Sequence, residues 1–181
     1  TRDRLGVGEH PHRGFETVTL VYSGIVEHRD SAGGGGTIQS GDVQWMTAGK
    51  GIQHSEMFPL LNRDNPNPLE LFQIWLNLPA SNKMVEPYYT MLWDKEIPKI
   101  TETDPEGGRT GIEIVAGQIG THRAPPPAPD SWAAQSENEV AIWYLQMEPN
   151  ASWTLPPATP AVNRMLFFFQ GAHIQFEQET V

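Results

Sequence analysis

The sequence predicts an all-β protein built as a sandwich or barrel. Its short apolar runs are rich in β-branched and aromatic residues and are bounded by Gly, Pro, Asn or Ser, the pattern of strands separated by turns. Helical periodicity is nearly absent, and 16 Pro and 17 Gly in 181 residues favour many tight connections. Four runs carry the prediction most clearly, and they span residues 17–22, 70–76, 140–145 and 164–169.

Two further stretches have a predicted conformation. Residues 88–93 are the best candidate for a helix, as one short turn, although the same residues are compatible with a loop. Residues 124–129 read Ala-Pro-Pro-Pro-Ala-Pro, so we expect an extended, polyproline-like connection. We interpret this segment as a rigid loop rather than as a ligand for a partner domain, because proline-rich ligands usually lie in disordered tails.

Residues 95–109 are mostly charged and turn-forming, which is typical of a boundary between domains. We therefore predict an N-terminal module over residues 1–95 and a C-terminal module over residues 110–181.

The composition excludes several classes of function. A net charge of −10 with twelve scattered Lys and Arg argues against direct binding of nucleic acid, because phosphate contacts require clustered cations. No apolar run approaches the roughly 20 residues needed to cross a bilayer, so we expect no membrane span. The absence of Cys excludes disulfides, zinc–thiolate sites and thiol catalysis. With a polar stretch at residues 1–9 and no signal-peptide pattern, the sequence favours a reducing, cytoplasmic location.

Two short motifs indicate a metal site. His10 and His12 are two residues apart, as are His54 and Glu56. On a β-strand such pairs point to one face, so two strands brought together would supply three imidazoles and one carboxylate. This ligand set suits a redox-capable divalent ion such as iron, manganese, nickel or copper and leaves positions open for substrate.

The alternative for any single histidine is a surface or loop position. Three of the six histidines nevertheless fall in these two motifs, and both motifs are flanked by glycines that let the backbone pack closely around a small site. We interpret His28, His122 and His173 as solvated or hydrogen-bonded residues. The apolar residues beside the motifs are interpreted as core rather than as a substrate platform, and these are Phe15, Trp45 and Met46.

A faint internal repeat suggests two similar β-modules. Aligning the turn at residues 23–24 with the turn at residues 170–171 matches residues 18–22 with residues 165–169.

The two modules differ in their capacity for metal. In this alignment Pro157 and Thr159 take the places of His10 and His12, so only the first module is equipped to bind an ion. The alignment ends at the position of Gly34, so we expect the second module to be truncated. Because exposed strand edges recruit other chains unless they are covered, we expect a homo-oligomer such as a dimer, or a covering segment.

Residues 9–18 and 41–56 resemble the pirin family of the cupin superfamily. The most specific part is Asp-Val-Gln-Trp-Met-Thr-Ala-Gly at residues 42–49, which leads into the second motif. The similarity is strongest over about residues 8–80 and loose from Ile112 onward. The resemblance implies a bicupin, with two antiparallel β-sandwich barrels and one metal, usually iron, in the N-terminal one.

Carried over position by position, the resemblance implies that His10, His12, His54 and Glu56 ligate the metal. Fe(II) is favoured, with Mn, Ni, Co, Cu and Zn as alternatives. In many other cupins the carboxylate ligand follows the first motif by three or four residues, which makes Glu16 the second candidate. The other role considered for Glu16 is a hydrogen bond inside the barrel mouth.

The resemblance also implies two functions of different kinds. Pirins include quercetin 2,3-dioxygenases, which open a flavonol ring with O₂ and release carbon monoxide, and in this reading Glu56 takes the proton of the 3-hydroxyl. The alternative is an iron-binding, redox-sensing regulatory protein that acts through protein contacts. A metal-dependent sugar isomerase or epimerase is a third class, because cupins also host those reactions.

Overall fold

The computed structural model describes residues 5–176 and 179–180 of the chain. It consists of short strands and three single-turn 3₁₀ helices, and every strand pairing in it is antiparallel. This confirms the all-β class. The strands are β1 (Leu5–His12), β2 (Phe15–Ser23), β3 (Ile25–Asp30), β4 (Gly35–Gln39), β5 (Val43–Thr47), β6 (Ile52–Phe58), β7 (Glu70–Asn77), β8 (Tyr88–Leu92), β9 (Lys99–Thr103), β10 (Arg109–Ala116), β11 (Gln118–Ile119), β12 (His122–Arg123), β13 (Ile142–Met147), β14 (Gln175–Phe176) and β15 (Glu179–Thr180). The 3₁₀ helices are Ala80–Asn82, Trp132–Ala134 and Ser136–Asn138.

The first eight strands form a sandwich of two four-stranded sheets. One sheet has the order β1-β6-β3-β4 and the other has the order β7-β2-β5-β8. Val21 of β2 packs between them against Val26 of β3 and Ile38 of β4. These three β-branched residues are almost fully buried, so they form part of the apolar core between the two sheets.

Strand β2 is buried on both faces, and all of its residues from 16 to 21 are buried. Its residues Val18 and Leu20 point away from the sandwich interior and join a second core with Trp45 of β5. That core is completed from further along the chain by Val115 and Ala128, among others. The outer face of this sheet is therefore covered by residues that follow β8.

The third sheet has the order β13-β10-β9 and has its own apolar cluster around Ile112, Ile114 and Ile119. The change from one sheet to the next occurs between Leu92 and Lys99. Strand β9 thus lies inside the stretch that the sequence suggested as a boundary. The division into residues 1–95 and 110–181 stays a prediction.

Three of the four predicted strand runs are confirmed, as β2, β7 and β13. Residues 164–169 are not a strand, so that prediction is wrong, and the match of this segment to strand β2 has no structural basis. Its five apolar residues from Met165 to Phe169 are between 41% and 77% exposed. Apolar side chains favour a strand only where a partner takes up the backbone hydrogen bonds, and no described strand pairs with this segment.

The helical turn considered for residues 88–93 is also wrong, because residues 88–92 form strand β8 at the edge of a sheet. Residues 124–128 have no regular structure, as expected for a proline-rich connection. Within the described part of the chain, none of the helices has the length and apolar content required to cross a bilayer.

Candidate metal centre

Strands β1 and β6 bring the two predicted motifs together. They pair antiparallel with His10 directly opposite His54, and a bulge between Val7 and His10 sets this register. His12 lies two residues further along β1, so it projects from the same face as His10. Alternation along β1 puts His10 and His12 on one face, and the pairing of β1 with β6 adds His54. These three residues form the histidine cluster.

The imidazole nitrogens of this cluster converge on one point. The candidate ligand atoms of His10, His12 and His54 all lie within 4.8 Å of one another. The Nε2 atom of His10 is 3.0 Å from that of His12 and 2.9 Å from that of His54. Two ligands that are each about 2.1 Å from one ion, at right angles, are about 3.0 Å apart. The spacing fits a shared metal ion.

The hydrogen bonds of His10 support the same conclusion. Its Nδ1 atom is 2.8 Å from the carbonyl oxygen of Gly8. Because a carbonyl oxygen only accepts, Nδ1 must donate, and a neutral His10 then presents the lone pair of Nε2 to the cluster.

Burial lowers the pKa of two histidines of the cluster, His12 and His54. Burial is the main reason that the pKa of His54 is lowered from 6.5 to about 3, and the neighbouring imidazoles of His28, His10 and His12 lower it further. Burial, together with His10, also lowers the pKa of His12. Neutral imidazoles have the free lone pair that a metal requires, so His12 and His54 are ready to bind an ion at neutral pH.

The structure does not bring the carboxylate of Glu56 into this group of three. Glu56 lies on the same face of β6 as His54 and is only 7% exposed. Its Oε1 atom accepts a hydrogen bond of 3.0 Å from Nε2 of Gln73. Oε2 has no hydrogen-bond partner within the described part of the chain, which leaves one carboxylate oxygen for an ion or a substrate.

Glu16 is placed away from the cluster, in a role that the sequence left open. It is fully buried, and its Oε1 atom accepts from Nε1 of Trp45 at 3.1 Å and from Oγ1 of Thr47 at 2.6 Å. Oε2 accepts from Oγ of Ser131 at 2.9 Å and from the backbone N–H of Trp132 at 3.2 Å. Both oxygens are occupied, so Glu16 joins β2 to residues 131–132 and does not serve as a ligand.

Aromatic side chains border the histidines on one side. The ring of His12 lies 4.9 Å from that of Phe15 and 5.6 Å from that of Trp75, measured between centroids. Trp75 is 63% exposed, while Trp45 and Met46 are fully buried in the core as expected. The indole of Trp75 therefore forms an exposed apolar surface beside the cluster.

Sequence reasoning missed Trp75 and its neighbour Gln73. The two residues are two apart on β7 and share a face, and the indole N–H of Trp75 donates to Oε1 of Gln73 at 2.9 Å. The available signal was the alternation within β7, which places both residues on the side opposite to Phe72 and Ile74.

Sequence reasoning also missed the pairing of His28 with Asp30. Of the two roles expected for His28, solvated or hydrogen-bonded, the structure shows the second, because His28 is 1% exposed and its Nε2 atom is 3.0 Å from Oδ2 of Asp30. Its Nδ1 atom is 3.1 Å from Nδ1 of His54. The signal was again an i, i+2 spacing, this time of a histidine and an acid. His122 and His173 are exposed, as expected.

Two surface cavities lie away from the histidines. One, of about 410 Å³, is lined by Phe72, Phe169 and neighbouring residues, and the other, of about 140 Å³, includes Phe58 and Leu60. Neither is lined by a residue of the cluster, whose exposed border is formed by Trp75 and the half-buried His10.

Comparison with known proteins places the chain in a family. Residues 1–76 match the family model described as Pirin. The chain is 45% identical over 147 residues to a Pseudomonas aeruginosa protein named "Putative quercetin 2,3-dioxygenase", with 81% of this chain and 48% of the relative covered. It is 46% identical over 113 residues to a pirin-like protein of Solanum lycopersicum, with 62% of this chain and 35% of the relative covered.

A solved structure gives the same result. The crystal structure of a quercetin 2,3-dioxygenase from Acinetobacter baumannii superposes with a TM-score of 0.60 at 44% identity, covering 68% of this chain and 42% of that one. The chain thus spans about half the length of these relatives or less. The region with the histidine pairs carries the family match, and the antiparallel fold agrees with it, so residues 1–76 of this chain belong to the pirin family.

Proposed function

We propose that the chain carries the metal centre of a dioxygenase that opens the ring of a flavonol with O₂. The observation that supports this most strongly is the convergence of the Nε2 atoms of His10, His12 and His54 beside the exposed indole of Trp75. The names of the relatives from Pseudomonas aeruginosa and Acinetobacter baumannii agree with this reaction.

In this proposal His10, His12 and His54 hold one divalent ion, and Glu56 is the fourth ligand through its free Oε2 atom. Imidazole and carboxylate ligands suit Fe(II), which we favour, and also Mn, Ni, Co, Cu and Zn. When bound, such an ion stabilises negative charge on a substrate oxygen as a Lewis acid and, if redox-active, exchanges electrons with O₂.

Glu56 is proposed as the base that takes the proton of the flavonol 3-hydroxyl. The N–H of Gln73 holds Oε1 at 3.0 Å, so Oε1 would stay in place while Oε2, the proposed ligand atom, shifts away from the ion to accept the proton. A buried carboxylate with one oxygen engaged and one free has the chemistry that this step needs.

Trp75 is proposed to bind the flat rings of the substrate. Aromatic pairs in contact contribute about 0.5–1.5 kcal/mol beyond the area that they bury. The bond from the indole N–H to Gln73 keeps the ring beside His12 and ties it to the residue that orients Glu56.

The test is O₂ consumption and carbon monoxide release with quercetin by the chain reconstituted with Fe(II). We expect turnover that is lost in His54→Ala and retained in His173→Ala, because His173 is exposed. No flavonol oxidation by wild-type protein with a full complement of metal would contradict the enzymatic proposal.

The second candidate is a redox-sensing regulatory protein with iron in the same site. The net charge of −10 favours it, since an acidic surface attracts a basic partner. This role requires that the oxidation state of bound iron change the affinity for such a partner, whereas the enzymatic role requires turnover.

A further inference from the structure

We infer that Asp30 and His28 fix the tautomer of His54 and thereby direct the lone pair of its Nε2 atom to the metal. The inference rests on the proposed metal site and assigns Asp30 and His28 as positioning residues, which act on the ion through His54.

Asp30, His28 and His54 are linked by two successive hydrogen bonds, and the carboxylate of Asp30 determines which atom donates in each. Oδ2 of Asp30, as a carboxylate oxygen, only accepts, so Nε2 of His28 at 3.0 Å must donate. A neutral His28 then has its lone pair on Nδ1, and Nδ1 of His54 at 3.1 Å must donate to it. The one hydrogen of a neutral His54 is thus on Nδ1. Its Nε2 atom, 2.9 Å from Nε2 of His10, is left with the lone pair.

The side chains of His28 and Asp30 are held rigidly. Oδ1 of Asp30 accepts from the backbone N–H groups of Ala32 at 2.8 Å and Gly34 at 2.9 Å, which fixes the carboxylate in the turn between β3 and β4. The side chains of His28 and Asp30 are both fully buried. The His28 ring stacks on Tyr89 from the opposite sheet at 5.0 Å and 18°. Neither side chain can turn away without losing several contacts, and no solvent competes for the bonds.

The arrangement matters because only one tautomer of His54 can bind the ion through Nε2. His10 is fixed in the corresponding tautomer by the carbonyl oxygen of Gly8, so two of the three histidines would be set before metal binding. Groups that orient metal-binding histidines in this way typically change metal affinity by about 10- to 100-fold when they are mutated.

The substitution Asp30→Asn tests the inference directly. The Asn Oδ1 atom can keep the two backbone hydrogen bonds of the turn, but Nδ2 then faces Nε2 of His28 and donates to it. His28 must then carry its hydrogen on Nδ1, and His54 is driven to the tautomer with its hydrogen on Nε2, which cannot bind metal there.

We would measure the tautomer of His54 by ¹⁵N NMR of the imidazole nitrogens in the metal-free protein at pH 7.5. Affinity would be measured separately by titration with Co²⁺ alone. Wild type should have the hydrogen of His54 on Nδ1, and Asp30→Asn should have it on Nε2. The affinity for Co²⁺ should fall by about 10- to 100-fold in Asp30→Asn.

Two further variants separate the hydrogen bond from packing. In His28→Asn, Oδ1 takes the place of Nδ1 as acceptor, so the tautomer of His54 and most of the Co²⁺ affinity should be retained. In His28→Leu there is no acceptor, and the affinity should fall as in Asp30→Asn. Should Asp30→Asn fail to fold, the comparison of these two variants decides the same point.

The matched control is Asp104→Asn in the turn between β9 and β10. Oδ1 of Asp104 accepts from the backbone of Glu106 and Gly108, the same i+2 and i+4 pattern as Asp30, and its Oδ2 faces Ser152 instead of a histidine. This variant should leave the tautomer of His54 and the Co²⁺ affinity unchanged.

The inference is overturned if His54 keeps its hydrogen on Nδ1 and Co²⁺ binds with unchanged affinity in both Asp30→Asn and His28→Leu. If wild type binds no Co²⁺, the proposed metal site fails instead. The tautomer in the metal-free protein still decides whether Asp30 and His28 control His54.

Discussion

Gln73 donates a hydrogen bond from Nε2 to Oε1 of Glu56 at 3.0 Å, and this bond joins the two sheets of the sandwich beside the histidines. Glu56 lies on β6 with His54, and Gln73 lies on β7 of the opposite sheet. The bond leaves Oε2 of Glu56 as the oxygen able to act on an ion or a proton.

The substitution Glu56→Gln should separate metal binding from turnover. Gln keeps an oxygen of similar shape but cannot take a proton, so bound metal should largely remain while flavonol turnover falls by about 10²- to 10⁴-fold. Elemental analysis and quercetin oxidation measured on the same sample check this. Equal loss of metal and activity would make Glu56 a ligand only, and full activity would remove it from the mechanism.

Removal of the exposed indole in Trp75→Ala should weaken flavonol binding. The expected effect is a rise in KM of about 2- to 10-fold, from the loss of an aromatic contact of about 0.5–1.5 kcal/mol, with unchanged metal content. Trp93→Ala is the matched control, because Trp93 is also an exposed tryptophan, at 43%, but has no ring contact with the cluster. An equal rise in KM in both variants would argue against a specific role for Trp75.

The chain should bind one divalent ion. Elemental analysis should give one metal per wild-type chain and none in His54→Ala, since one of only three converging imidazoles is lost. His122→Ala, which removes an exposed histidine, should keep one. Two ions per wild-type chain would require a second site.

The metal-free protein should lose stability as the pH falls from about 6.5 to about 3. The pKa of His54 is about 3 in the folded protein and about 6.5 as a free side chain, so the unfolded chain binds the additional proton within this window. The contribution of His54 to the free energy of unfolding therefore rises with pH up to about 6.5. Urea denaturation at several pH values would give the free energy of unfolding as a function of pH. Between about pH 3 and 6.5 this free energy should rise less steeply with pH in His54→Gln than in wild type. An equal dependence on pH in both proteins would contradict the lowered pKa of His54.

Glu16→Gln should destabilise the fold without changing metal binding. The new amide group would face donors where the carboxylate accepts from Trp45, Thr47, Ser131 and Trp132, and an unsatisfied buried polar group costs about 1–3 kcal/mol. Chemical denaturation would measure the loss in the free energy of unfolding. A loss of metal content in this variant would instead indicate that Glu16 is a metal ligand.

Much of the fold and part of the centre could be predicted from local patterns. Residues 17–22 and 70–76 are strands because their β-branched and aromatic side chains suit a sheet that is covered on at least one face. The spacing of His10 and His12 was sufficient to place both side chains on one face of β1, because that alternation is a property of any strand.

Other features depended on partners that are distant in the sequence. Glu16 lies outside the cluster because it projects from the other face of β2, toward Ser131. His28 becomes part of the centre because β3 pairs with β6, which puts Asp30 opposite His54 and His28 opposite Glu56.

The sequence by itself therefore determined the all-β class, three of the four predicted strand runs and the pairs of side chains that share a face, since these depend on the pattern along one strand. Only the tertiary structure decided which pairs meet, which carboxylate is free and which apolar run lacks a partner, as in residues 164–169. The reason is that a hydrogen bond or a metal ligand is a distance between atoms on different strands, and strand pairing sets that distance.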